Sequence, residues 1–172
     1  DYEFAFRQES NFWYVSGVNE PDCAAILDID SKEFHLFVPK RDAQYAVWHG
    51  YVKSLDQYRT EYAPDHVHYI DELPEVIQKL QPSSAFCLDQ HSEEQFRSHG
   101  PEISTNSEAL IEALTDARVI KTEDELDCLR KASQVNDKAY ERVIRHWKSG
   151  MYEYQAKAMF TEVQMSHGLQ QD

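Results

Sequence analysis

Phe6-Arg7-Gln8-Glu9-Ser10-Asn11-Phe12-Trp13-Tyr14-Val15-Ser16-Gly17-Val18-Asn19-Glu20-Pro21-Asp22 is the stretch on which the reading of this chain turns. Phe12, Trp13, Tyr14 and Val15 are strong strand formers. Gly17 allows the backbone to bend, and Glu20-Pro21-Asp22 has the composition of a turn. Cys23-Ala24-Ala25-Ile26-Leu27-Asp28-Ile29 follows as an apolar run of strand length. Propensity alone therefore predicts strand, turn, strand.

The wording of the stretch is more specific than its propensities. Phe-Arg-Gln-Glu-Ser, an aromatic pair and then Gly-Val-x-Glu-Pro resemble the N-terminal domain of the Xaa-Pro dipeptidases, or prolidases. Those belong to the pita-bread metallopeptidases, together with aminopeptidase P and creatinase. The resemblance implies an α/β fold with a mixed sheet and flanking helices. It concerns the front domain and not the catalytic motif.

Upstream, residues 1–6 run into this stretch without a cap or turn, and the resemblance implies a further helix and strand before them. Residues 1–4 have neither a basic nor an apolar leader character, so no signal peptide is expected. Downstream, residues 28–32 predict a hairpin turn into a strand over residues 33–38, closed by Pro39. Three consecutive strands of this kind suggest an antiparallel meander. The family likewise carries Leu-Phe-Val-Pro here.

Asp42 is an N-cap candidate for a helix that reaches Gly50, and a second helix is expected over residues 55–62, stopped by Pro64. Residues 67–70 read as a short strand. Asp71 is placed as the cap of a helix over residues 72–80, whose Leu73, Val76, Ile77 and Leu80 share a face. Residues 85–88 read as a buried strand, which implies a parallel crossover. Residues 90–104 are polar and read mostly as loop with a weak helical turn near Glu93, and Asn106 or Ser107 caps a helix over 108–114. The charged run 115–118 is expected to close the first domain.

A new element opens near Arg118. Thr122 and Glu125 fit a capping box. Leu126, Leu129, Ala132, Val135, Ala139, Val143 and Trp147 then form one apolar stripe at helical spacing. Acidic residues crowd its first turns and basic residues its last, as the helix dipole favours, and Ser149-Gly150 is expected to end it. A second helix should run from about Tyr152 to His167. Arg-Val-Ile-Lys-Thr-x-x-Glu-Leu, Leu-Arg-x-Ala and Gly-x-x-Glu are similar to the first two helices of the pita-bread catalytic domain. Tyr152 departs from the small or polar residue usual before that glutamate. The expected division is a creatinase-like domain over 1–116 and the opening helices of a truncated catalytic domain over 117–172.

Composition narrows the function classes. The chain has 172 residues, 41% hydrophobic and 12% aromatic, enough for one substantial core. No apolar run approaches the ~20 residues of a membrane span, so no membrane partner is expected. A formal net charge of -14 argues against nucleic acid, whose phosphates it would repel. The three cysteines, Cys23, Cys87 and Cys128, show neither a disulfide framework nor zinc-type spacing, which fits reduced thiols and a cytoplasmic location.

The resemblance implies a centre of two divalent metal ions, manganese, held by two aspartates, one histidine and two glutamates, where a bridging hydroxide attacks the bond before proline. In the family's order all these ligands follow the two helices just described. No catalytic residue and no metal ligand is therefore carried onto this chain, which is expected to be inactive alone and to bind no metal. His66 and His68 share a strand face and form a tempting pair, but the sequence offers no third ligand and a plain surface strand is the favoured reading. His35, His91 and His146 belong to no constellation.

Trp48 is the one substrate-binding candidate. Prolidases similarly carry a tryptophan after the Phe-Val-Pro strand, where it reaches from one subunit toward the partner's pocket. An indole would give a proline ring an apolar wall and one N–H donor. The other reading is a helix aromatic packed in the core. Arg7, Gln8, Glu9 and Ser10 read as structural. The resemblance thus implies part of a metal-dependent Xaa-Pro dipeptidase acting on dipeptides with C-terminal proline. The front domain would serve homodimerisation and pocket closure. The isolated chain is expected to self-associate through apolar faces left open. An Xaa-Pro aminopeptidase of the aminopeptidase P type, and a non-catalytic peptidase-like binding protein, remain the alternatives.

Overall fold

The computed structural model describes residues 6–169; the expectation of a start in mid-domain falls largely on residues outside them. The chain divides into two compact units, Asp1–Asp116 and Ala117–Asp172.

The deciding stretch folds as a helix, α1 (Ser10–Ser16), not as a strand. Cap chemistry overrides β propensity. The Glu9 carboxylate accepts from the Phe12 N–H at 2.7 Å. The Ser16 hydroxyl donates to the Phe12 carbonyl. Gly17, at φ +70°, ends the helix in the left-handed region and donates to the Trp13 carbonyl at 2.7 Å. The expected three-strand meander accordingly loses its first member.

Among the described residues the sheet has three strands in the order β1 (Ala24–Asp28), β2 (Glu33–Val38), β3 (His66–Tyr69). β1 and β2 form the expected hairpin, with Ala24 opposite Phe37 and Asp28 opposite Glu33. The Asp28 carboxylate organises its turn by accepting from the Asp30 N–H and the Ser31 hydroxyl. β3 lies parallel to β2, with His35 beside His66 and Phe37 beside His68. The sheet is thus mixed and the fold α/β. The β2–β3 crossover carries α2 (Ala43–His49) and α3 (Leu55–Tyr62). Asp42 caps α2 by accepting from the Tyr45 N–H, and Ser54 with Gln57 forms a capping box on α3.

β2 is buried on both faces, as suits a central strand. Leu36 and Val38 pack with Val18, Tyr58 and Val67, flanked by Phe12, Phe34, Leu55 and Tyr69. On the opposite face Phe37 is fully buried and His35 nearly so.

The structure departs from four other expectations. A 3-10 turn, Ile70–Glu72, precedes α4 (Leu73–Leu80), so Asp71 is not its cap; the Glu72 side chain instead accepts from the Tyr69 N–H. Pro74 sits in the first turn of α4, where its missing N–H costs no helix bond. Among residues 85–88 only Ala85 pairs, through one isolated parallel bridge to Thr105, so no further sheet strand forms there. The polar segment after it contains a helix, α5 (Gln90–His99). Asp89 caps it, and the pairs Gln90–Glu94 and Glu93–Arg97 support it one turn apart. α6 (Glu108–Val119), capped by Asn106, is longer than the expected helix over 108–114 and continues through the charged run 115–118.

In the second unit α7 (Glu123–His146) begins with the Thr122–Glu125 capping box. It ends at His146 with an extended Trp147, before Gly150. α8 (Glu153–Ser166) packs against α7 through Tyr140 on Phe160, a Gln164–Asn136 hydrogen bond and the Arg142–Glu162 ion pair.

Glu20 ties the deciding stretch to α3. Its carboxylate accepts from Lys53 Nζ at 2.6 Å, the Tyr58 hydroxyl at 2.7 Å and the Tyr62 hydroxyl at 2.8 Å. Burial alone would raise its pKa, but these donors and the Lys53 charge hold it below the ordinary value of 4.5. Burial opposes the Lys53 charge as well, and Glu20 and Glu61 outweigh it, keeping the ammonium above its usual range.

Since the folded carboxyl titrates lower than the unfolded one, its stabilisation is fully present above 4.5 and lost as the pH falls through the lower folded value. Glu20→Gln should destabilise the chain by roughly 2 kcal/mol at neutral pH. Urea unfolding from pH 7 to pH 3 should show that deficit constant above about pH 5 and shrinking below it. A deficit independent of pH would show that the carboxylate charge is not what stabilises the network.

Candidate functional site

Trp48 lies in the last turn of α2 and is 79% exposed, beside exposed Val47 and Tyr51. The core reading of this tryptophan is therefore not the one the structure favours. Gly50 follows at φ +88°, a conformation that strains other residues, and its N–H closes α2 on the Ala46 carbonyl. The helix is oriented from its other end. Arg41 pairs with Asp22 and lies over the Tyr45 ring at 4.5 Å from its centre. Tyr45 stacks on His49 one turn along, at 4.2 Å. The turn Glu20-Pro21-Asp22 thus holds α3 through Glu20 and α2 through Asp22.

The polar residues before α1 act structurally. Gln8 Nε2 donates to the Glu20 carbonyl at 3.0 Å, and Glu9 caps α1. Cys23 sits beside the same turn. Burial, together with the Glu20 and Asp22 charges, pushes its thiol up to about 12. Cys87 is buried and also raised by desolvation, while Cys128 is exposed.

The second cluster lies on the sheet face opposite the core. The structure joins Glu33, His35 and His66, one donor atom from each lying within 4.8 Å of the others. The histidine pair read from the sequence is thus only part of the group. His35 and Glu33 come from the neighbouring strand, and only the parallel β2–β3 register places them there. His68 meets His35 ring to ring, with Nδ1 of His35 3.2 Å from Nε2 of His68, and stacks on Phe37. Burial, then the neighbouring His66 and His68, hold His35 below the usual histidine range. Burial, opposed by the Glu72 charge, lowers His68 as well. One carboxylate and two imidazoles do not match the dinuclear centre that the family resemblance implies, with its four carboxylates and single histidine. Among the described residues no helix is long and apolar enough to cross a membrane.

A mixed sheet flanked by helices makes the first unit an α/β domain of the kind the family resemblance implies. The chain belongs to the family of the aminopeptidase P N-terminal domain, which matches residues 1–86. Its relatives are peptidases. It is 34% identical over 176 residues to the Xaa-Pro dipeptidase of Pongo abelii, covering 98% of this chain and 36% of that protein. The human Xaa-Pro dipeptidase is 33% identical, covering 95% and 34% respectively. The zinc-substituted Escherichia coli aminopeptidase P in complex with product shares the fold at a TM-score of 0.81 and 22% identity, over 98% of this chain and 42% of its own. The chain spans about a third of the length of the dipeptidases it matches.

The thiol environments give a simple check. Iodoacetamide at about pH 7.5 should modify Cys128 first, with Cys23 and Cys87 at least tenfold slower, because attack needs the thiolate. Peptide mapping that found Cys23 modified as fast as Cys128 would contradict the closed Glu20–Asp22 turn.

Proposed function

We propose that this chain acts as the N-terminal part of a metal-dependent Xaa-Pro dipeptidase that hydrolyses dipeptides ending in proline. The observation that carries the reading is the match to two Xaa-Pro dipeptidases across 98% and 95% of the chain, in both units and at 34% and 33% identity. On this reading residues 1–116 form the creatinase-like domain, and 117–172 contribute the opening helices of the catalytic domain. The catalytic centre, two divalent ions with manganese the expected metal, belongs to sequence beyond these residues, so the chain alone is inactive. The protein works in the cytoplasm as a homodimer joined through the N-terminal domain.

Trp48 is the substrate-facing residue of this domain, reaching the partner's pocket. Its exposure supports the role. Holding an indole and its neighbours Val47 and Tyr51 in water forgoes roughly 2 kcal/mol of burial per large side chain. The Asp22–Arg41–Tyr45 contacts hold the helix that presents it. The relatives also include probable Xaa-Pro aminopeptidases, among them one from Penicillium rubens at 32% identity, and an aminopeptidase of that type is the second reading.

The protein extended past Asp172, supplied with manganese, should hydrolyse Gly-Pro, and the 172-residue chain should not. In the extended protein Trp48→Ala should raise KM or lower kcat about tenfold and shift the melting temperature by less than 2 °C, as an exposed substitution should. Cleavage of the first residue from longer Xaa-Pro peptides in preference to Gly-Pro would favour the aminopeptidase reading. Unchanged kinetics with a large loss of stability would remove Trp48 from the pocket.

A further inference from the structure

The sheet face bearing Glu33, His35, His66 and His68 is left unexplained by the peptidase reading. Glu33 and His35 are two residues apart on β2 and so share a face, and His66 stands in register beside His35. Glu33 Oε2 and His66 Nε2 are 3.3 Å apart. Two ligands of a tetrahedral cation at ordinary zinc distances are separated by about 3.3 Å. His35 is the fixed member, 6% exposed, with its ring stacked on His66 at 4.6 Å between centres. Glu33 and His66 have side chains 48% and 44% exposed, which leaves them free to close the remaining distance.

His35 also supplies an independent sign of a missing ligand. Its Nε2 is buried and has no hydrogen-bond partner among the described residues. The other ring nitrogen, Nδ1, meets His68 Nε2 at 3.2 Å, so between neutral rings one proton lies between these two atoms. If His68 were the donor, His35 would keep a proton on Nε2, a buried N–H with no acceptor. If His35 donates from Nδ1, Nε2 carries a bare lone pair, which is the form that ligates metals. The second arrangement avoids the orphaned donor and leaves a vacant acceptor that only a cation or another donor would satisfy. A histidine whose second nitrogen is fixed by a neighbouring group is the usual form of a metal ligand.

We propose that Glu33, His35 and His66 bind one divalent transition-metal ion, zinc before others, with His68 positioning the ring of His35. Two imidazoles and one carboxylate suit zinc and its borderline neighbours, whereas magnesium and calcium prefer sets made of oxygen. The fourth position would be held by water. The site lies within the sheet of the first unit and is independent of the dinuclear centre expected beyond this chain. Binding would cross-link β2 to β3 at the open end of their pairing, so the ion would stabilise the folded state.

The test uses zinc chloride and the untagged, chelator-stripped 172-residue chain, in competition with a chromophoric chelator. One zinc per chain is expected, with a rise in melting temperature on addition. Glu33→Gln, at an exposed position, and His66→Gln, at a half-buried one, should retain the parent's circular dichroism and each weaken binding by tenfold or more. His68→Leu should weaken it by a similar factor, and His68→Gln, whose amide oxygen can still accept from His35 Nδ1, should restore most of it. Cobalt in place of zinc should give the visible absorption of a four-coordinate nitrogen–oxygen site. No saturable zinc binding, or binding that survives both Glu33→Gln and His66→Gln, overturns the site. Full binding by His68→Leu would remove the positioning role.

Discussion

A single half-buried carboxylate holds the first unit together. Glu20 receives an ammonium and two phenol hydroxyls from residues 33 to 42 positions away. Without the carboxylate the Tyr58 and Tyr62 hydroxyls would lose their acceptor on folding and Lys53 would keep only Glu61, and leaving such groups unpaired costs more than the pairing gains. The neighbouring Val18 is fully buried in the core and Asp22 pairs with Arg41. Residues 18–22 therefore make three attachments in five positions: a core anchor at Val18, a grip on α3 at Glu20 and a grip on the approach to α2 at Asp22. The clearest family signature in the chain is a structural device that orients two helices.

Asp22 pairs with Arg41, whose guanidinium covers Tyr45 in the first turn of α2. Tyr45 stacks on His49, and Trp48 projects from the same last turn into solvent. A short helix of seven residues has little stability of its own. Its direction is set from its first turn, by these contacts and by the Asp42 cap.

How much of this was legible in the sequence differs by element. Where a cap and an apolar stripe agree, as at Thr122, Glu125 and the stripe of α7, the helix is plain in the residues. Where they disagree, the reading fails. Phe12 to Val15 are strand formers by propensity, yet Glu9, Ser16 and Gly17 enclose them in caps at helical distance, and those local bonds decide. α5 lacks an apolar face strong enough to read; it rests on Asp89 and on side-chain pairs one turn apart, a signal that hydrophobic periodicity does not carry. The histidine group was illegible for another reason. Its members lie 31 residues apart, on strands whose parallel register no local pattern specifies. The alternation His66-x-His68 is visible in the chain, but its partners Glu33 and His35 are brought to it only by tertiary structure.

β2 shows how one strand can serve two chemistries. Its even-numbered side chains, Phe34, Leu36 and Val38, enter the apolar core, and its odd-numbered ones, Glu33, His35 and Phe37, lie on the other face. Because the side-chain period is two, a slip of one residue in register would exchange these sets. It would bury a carboxylate and an imidazole among aliphatic groups and turn Leu36 and Val38 away from Val18. The cost of that exchange is far larger than any single contact, so the core fixes the register and the register fixes the histidines. The donors on the far face are thus held by the hydrophobic core rather than by one another. That explains how His35 can keep a buried nitrogen without a partner: the penalty of the vacant acceptor is small beside the burial of Leu36 and Val38 on the same strand.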